Sequence, residues 1–233
     1  KGRQRLLWVP ANDGMLHAFN AANGDERWAY VPTVVIPNLW KLADKNYANN
    51  HVNFVNGTPI ISDICVAFCD GGGGDPEWKT ILVGGLNAGG RSYYALDITD
   101  PDSPSLLWEI TPSTTGFADL GYSYTQPIIT KKQDGTWVVL VASGYNNVSP
   151  GTGRGYLYVI NAATGAKISQ IDTGVGTTTT PSGLAKIVAW NEYGGINNTA
   201  GYVYGGDLLG NLWRFDINAE TAFLFATLKD PSD

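Results

Sequence analysis

The chain has 233 residues, with 15 lysines and arginines against 21 aspartates and glutamates and a net charge of -6. That balance excludes an electrostatic grip on nucleic acid or on an anionic lipid surface. No apolar run reaches the roughly 18 residues of a membrane span, and 29 glycines, 12 tyrosines and 8 tryptophans beside only 15% charged residues suit aromatic-rich strands joined by tight turns.

The N-terminal "KGRQRLLWVPANDG" lacks a signal peptide's apolar stretch and cleavage site, so Lys1 reads as an internal cut through a longer protein. The first patterned stretch, "LLWVPANDGMLHAFNAANGDERWAYVP", is an apolar strand, a turn at Asn-Asp-Gly, an alternating strand ending at Asn20, a second turn at Asn-Gly and a third strand. "VIPNLWKLADKNYANN" follows, and its apolar spacing after Pro37 predicts a short helical insertion over about residues 36–48. A short strand, "GTPIISDI", then runs into "CVAFC" and the glycine run "DGGGGDPE". Cys65 and Cys69 either close a small disulfide loop in an oxidising compartment or stay as a pair of buried thiols. Zinc would need more ligands than these, because the only histidines are His17 and His51.

The opening pattern recurs three times, in "KTILVGGLNAGGRSYYALDITDPDSPSLLWEIT", in "WVVLVASGYNNVSPGTGRGYLYVINAATGAKISQIDTG" and in "AGYVYGGDLLGNLWRFDINAE". Each copy ends its alternating strand on an anchor, Asn20, Asp97, Asn161 or Asp216. The first three anchors open a turn whose N–H groups an Asn or Asp side chain caps. Short strands after small-residue loops precede the later copies, and "KKQDGTW" reads as a hairpin turn. Units of about four strands recurring at this spacing are the pattern of β-propeller blades, over residues 1–33, 55–112, 120–174 and 182–228. Trp8, Phe19, Tyr94, Leu96, Tyr158, Trp213 and Phe215 are the expected packing between blades. The fold class is all-β, a propeller with about four recognisable four-stranded blades, with a two-layer sandwich as the structural alternative.

No stretch supplies a catalytic constellation. "GGLNAGG" and "GTGRG" run into strands rather than helices, so their glycines read as turn residues and not as a phosphate cradle. His17 sits in a strand and His51 in a polar loop, with no nucleophile beside either. Asp97 with Asp100, and Asp70 with Asp75, fall at turns where capping accounts for them. The nearest approach to a calcium loop is "NEYGGINNT", with Asn191, Glu192, Asn197 and Asn198. It carries one carboxylate where calcium wants several oxygen ligands. "NVSPGTGRG" and "DGGGGDPE" are expected to be exposed loops.

The stretches "ANDGMLHAFNAANGDERWAYVP", "VNGTPIISD", "WKTILVGGLNAGGRSYYALDITDP", "LGYSYTQPII" and "YVYGGDLLGNLWRFDI" lie in order along nearly the whole chain. Together they resemble the β-propeller domain of PilC/PilY-type type IV pilus biogenesis and tip adhesin proteins. The resemblance implies a non-enzymatic interaction module of a pilus tip-associated factor, with pilin and minor pilin subunits and a host or environmental surface as partners. It further implies roles in pilus assembly, attachment and twitching motility, and an extracytoplasmic location on the cell surface or fimbrium, reached through the periplasm of a Gram-negative bacterium. Some members carry a DxDxDxxxD calcium loop before the strand corresponding to residues 203–206. Here that segment is "WNEYGGINNTAG", without the acidic series, so no cofactor is expected. The family propeller is larger than four blades, which makes this chain an arc rather than a closed ring. Two other readings use the same blade unit. A quinoprotein dehydrogenase would share the motif "NDGMLHAFNAANGDERW" but wants adjacent cysteines, and an outer-membrane assembly scaffold would lack "LVGGLNAGGRSYYALDITDP".

Overall fold

The computed structural model describes residues 4–70, 73–191 and 197–228. Its strands form four antiparallel sheets, each a meander in chain order. The first blade comprises β1 (Leu6–Pro10), β2 (Leu16–Asn20) and β3 (Glu26–Tyr30), and the second β4 (Ile60–Ala67), β5 (Glu77–Gly85), β6 (Tyr93–Asp97) and β7 (Ser105–Ile110). The third holds β8 (Ile128–Lys131), β9 (Trp137–Ala142), β10 (Tyr156–Asn161) and β11 (Lys167–Asp172), and the fourth β12 (Lys186–Trp190), β13 (Tyr202–Gly206), β14 (Asn211–Asp216) and β15 (Thr221–Thr227). The first sheet has three strands among the described residues, one fewer than the repeat pattern suggested, because β1 corresponds to the second strand of the later blades.

Strand alternation sends successive side chains to opposite faces, and the middle blades bury both. In the second blade Leu82, Tyr94 and Leu96 pack towards the first blade with Leu16, Val35 and Phe54. Their neighbours Ile81, Val83, Tyr93 and Ala95 pack towards the third blade, against Val139, Val141, Tyr158 and Ile160. The third blade repeats the arrangement, turning Val138, Leu140, Leu157 and Val159 towards Val203, Trp213 and Phe215 of the fourth. Counting back from each anchor, the first and third residues face the preceding blade and the second and fourth face the following one. Five of the seven expected packing residues are thus buried between blades, and Trp8 is partly buried in the first interface. Phe19 is the exception. It takes the position of Leu96 and Phe215, but in the first blade that face is turned away from its neighbour, and its ring stacks on His17 at 5.8 Å.

The two ends of the arc therefore each leave one sheet face uncovered among the described residues. Leu7 and Val9 are exposed at one end, and Val188, Trp190, Phe223 and Phe225 at the other. On the second of these, the Arg214 guanidinium lies between the Tyr202 and Phe223 rings, at 4.8 and 5.0 Å from their centroids.

The insertion between the first two blades forms a 3-10 helix over Thr33–Ala43 and a second short turn over Tyr47–Asn49. It starts ahead of the predicted position. Thr33, Val34, Val35 and Ile36 are β-branched, which weakens the α-helical alternative, and the first turn closes instead through Val35 N–H on the Pro32 carbonyl. Val35 and Leu39 seat the insertion on the first interface.

The loop "NVSPGTGRG" also differs from expectation. Gly151, Gly153 and Gly155 are buried: backbone from 118–119, 147 and 177 lies where side chains of the first two would project, and the Ser182 and Thr173 side chains crowd the third.

Candidate functional site

The repeated anchors are the first feature the sequence places and the structure explains. Asn20 Oδ1 accepts the Ala22 N–H at 2.9 Å, and Asn161 Oδ1 accepts those of Ala163 and Thr164 at 3.1 and 3.0 Å. Asp97 Oδ1 accepts the Thr99 hydroxyl and N–H while its other oxygen takes the Lys79 ammonium at 2.9 Å; burial opposes ionisation, but these bonds, the Thr99 hydroxyl's first, hold its carboxyl below the usual range. Asp216 does the same for Asn218 and Ala219, each at 2.9 Å. The fourth turn escapes sequence reading because Glu220, at φ 55°, occupies the left-handed position that Gly24 and Gly165 take in the first and third. A β-bulge lies between the two residues preceding the anchor in the first three blades, and two residues earlier in the fourth.

Tryptophans latch the first blade to the second and the second to the third. Trp28 Nε1 donates to the Pro101 carbonyl at 2.8 Å, and Trp108 Nε1 donates to the Ala162 carbonyl at 3.0 Å. In each case a fourth-strand indole reaches the anchor turn of the following blade, and Gly165 passes so close to Trp108 that a Cβ there would lie 2.6 Å from the ring. Between the latches, burial pushes the Tyr93, Tyr94 and Tyr158 phenols well above their usual value. At the first interface Tyr30 donates to Glu109, and burial with that bond keeps it protonated. These rings pack in the interfaces and seal sheet against sheet.

His17 is the one histidine with a charged environment. Its Nδ1 lies 2.7 Å from Glu26 and its Nε2 2.8 Å from Asp13, so both ring nitrogens face carboxylates rather than a nucleophile. The hydrogen bond to Glu26 raises its pKa above 6.5, burial opposes this, and Asp13 adds to the rise. Since the folded value is raised, the stabilisation is complete below about 6.5 and is lost as the pH climbs through the folded value. We expect the urea midpoint to fall across that window, and His17→Gln to flatten the fall. An unchanged slope in the variant would remove His17 as its origin.

At the far end of β4, Cys65 and Cys69 form a disulfide with Cα atoms 5.7 Å apart. The bridge closes a short loop, worth about 2 kcal/mol by the loop-entropy estimate. Urea denaturation of a Cys65→Ser/Cys69→Ser protein is expected to show a loss of that size, and reductant should reproduce it in the parent alone.

Of the calcium candidates, Asn197 and Asn198 belong to a strap across the edge of the third blade. The Asn198 carbonyl accepts the Lys131 N–H at 2.8 Å and the Thr130 hydroxyl at 2.9 Å, and Asn197 Oδ1 accepts the Thr199 hydroxyl at 2.6 Å. Asn191 directly follows β12, and Glu192 lies outside the described residues. No cluster of three or more metal-binding side chains occurs among the described residues. No helix there is long and apolar enough to cross a membrane.

Stacked meander blades, Asx-capped anchor turns and indole latches define a β-propeller scaffold in the form of an open arc. The family model described as the PilY1 β-propeller domain matches residues 1–224, and the chain belongs to that family. It is 38% identical over 221 residues to the type IV pilus biogenesis factor PilY1 of Pseudomonas aeruginosa strain PAO1, covering 94% of this chain and 18% of that protein. A PilY1 homolog of Xylella fastidiosa is 37% identical over 227 residues, covering 92% of this chain and 14% of the relative. The chain thus spans less than a fifth of the length of these curated relatives. Among solved structures, the P. aeruginosa PilY1 C-terminal domain matches with a TM-score of 0.73 and 34% identity, over 93% of this chain and 40% of that one. A quinohemoprotein alcohol dehydrogenase from Pseudomonas putida, at 13% identity and a TM-score of 0.54, shares the fold alone.

Proposed function

We propose that this arc is a non-enzymatic interaction module of a type IV pilus biogenesis factor that acts at the pilus tip and the cell surface. The observation that carries the reading is the family match along residues 1–224, within which the pilus-type stretches occur in order. The capped anchor turns and the two indole latches supply the rigid scaffold that such a module needs. Pilin and minor pilin subunits are the partners, and a host or environmental surface is the further ligand. The work of the module is assembly, attachment and twitching motility. A protein exported through the periplasm meets oxidising conditions, which suits the Cys65–Cys69 bridge.

The test is a chromosomal deletion of the segment encoding this arc, scored for surface pili, adhesion and twitching. Loss of all three with the remaining protein still exported supports the reading. Wild-type behaviour in all three contradicts it. A dye-linked alcohol oxidation assay with added quinone and calcium addresses the enzyme alternative in the same preparation, and turnover there would favour that alternative.

A further inference from the structure

The second and third blades are covered on both faces by this chain, so a cleft between their loops has both its walls within the described residues. One such cleft, of about 750 Å³, opens between the disulfide end of β4 and the β8–β9 hairpin. That volume falls inside the roughly 300–1,000 Å³ typical of small-molecule sites.

Its lining combines open aromatic rings with polar tips. Trp78 is 53% exposed at the start of β5, and its ring meets Trp137 edge-on at 6.1 Å. The Lys131 ammonium sits 5.6 Å from the Trp137 ring and fixes that indole from the other strand. Phe68 is 50% exposed and held at φ 55°, a left-handed conformation that a bulky residue rarely adopts, within the loop that the Cys65–Cys69 bridge closes. Its ring lies over Gly74, where a Cβ would come within 3.2 Å. The hairpin adds the exposed Gln133 and Asp134, and Asp134 is oriented by the Thr136 N–H at 2.9 Å.

We propose that this cleft binds a neutral saccharide. The C–H face of a pyranose ring is apolar and flat, and it stacks on an exposed indole. Its hydroxyls both donate and accept, as an amide, a carboxylate and an ammonium together require. Lys131 is set against Asp70 and Asp134 in the lining, so there is no cationic excess to draw an acidic sugar or a phosphate. Trp78 is the stacking platform, Phe68 the flanking wall, and Gln133 with Asp134 the hydroxyl partners. Nothing in this assignment depends on the pilus reading, and a direct binding measurement tests it separately from piliation.

The experiment is titration of the full chain against an immobilised panel of neutral oligosaccharides built from glucose, galactose, mannose, N-acetylglucosamine and N-acetylgalactosamine, with calorimetry on any hit. Saturable binding to at least one is expected, weakened at least tenfold by Trp78→Ala and by Phe68→Ala. Trp190→Ala, on the uncovered face of the fourth blade, should leave it unchanged. Both cleft residues are half exposed, so their truncation leaves the interblade cores intact, and unchanged circular dichroism confirms folding. The assignment is overturned if no neutral sugar saturates the protein, if both cleft variants bind as the parent does, or if a proline-rich peptide occupies the cleft while the sugars do not.

Discussion

Replacing Phe215 with alanine is expected to lower the unfolding free energy by about 3–5 kcal/mol. The ring is fully buried at the interface of the third and fourth blades, on the same face as Val203, Trp213 and Ile217. Truncation loses the transfer free energy of the ring and leaves a cavity that two rigid sheets cannot close. With total stabilities of about 5–15 kcal/mol for ordinary domains, such a loss should strip protection from the fourth blade first. Hydrogen exchange is the measurement of choice. Amides of β13 and β14 should lose protection in the variant while those of β5 and β6 keep theirs. Equal loss in all blades would mean that the arc unfolds as one unit.

Gly89→Ala is expected to cost about 3 kcal/mol. A Cβ at this position would sit 1.6 Å from the Phe54 carbonyl oxygen, a backbone atom that no side-chain rotation can move. The loops around residues 54 and 89 must separate, opening the first interface where Phe54, Val55 and Leu86 are buried. The same stretch contains Gly84, whose Cβ would meet the Tyr94 hydroxyl at 2.4 Å, and Gly85, whose carbonyl oxygen would lie 2.2 Å from a Cβ on Gly57. Its glycines therefore serve close approach of chain to chain. Gly89 lies outside the left-handed region, so thermal unfolding of the variant reads crowding alone, and Gly135→Ala, at a turn where nothing lies within 4 Å, is the contrasting case. Gly135 has φ +87°, so its substitution loses stability through backbone strain and not through crowding.

The parts of this fold that local chemistry dictates are legible in the sequence. Asn20, Asp97 and Asn161 announce their turns because an Asx side chain bonds its own backbone two or three residues on. Alternating apolar residues announce the strands, and the repetition of both announces the blades. What stays hidden is non-local. The strap at 197–200 pairs with Lys131 through bonds in both directions, and nothing in "NNTA" signals a partner so distant in the chain. "GTGRG" reads as an exposed loop, yet Gly151 and Gly153 are buried against backbone at 147 and 177 and Gly155 against the Ser182 and Thr173 side chains. Phe19 reads as core because it occupies a core position of the repeat, and only the stacking order of the blades shows that its face is uncovered. The cleft was equally out of reach, since Trp78 and Trp137 are brought together by the docking of two blades and share no local pattern.

The most direct test of the proposed pilus role is co-purification of the full-length protein with pilins, followed by crosslinking to map the contact face. Pilin or minor pilin subunits are expected to be recovered with the protein, with crosslinks on residues of this arc. Recovery of no pilin from piliated cells, or crosslinks confined to regions outside the arc, would contradict it.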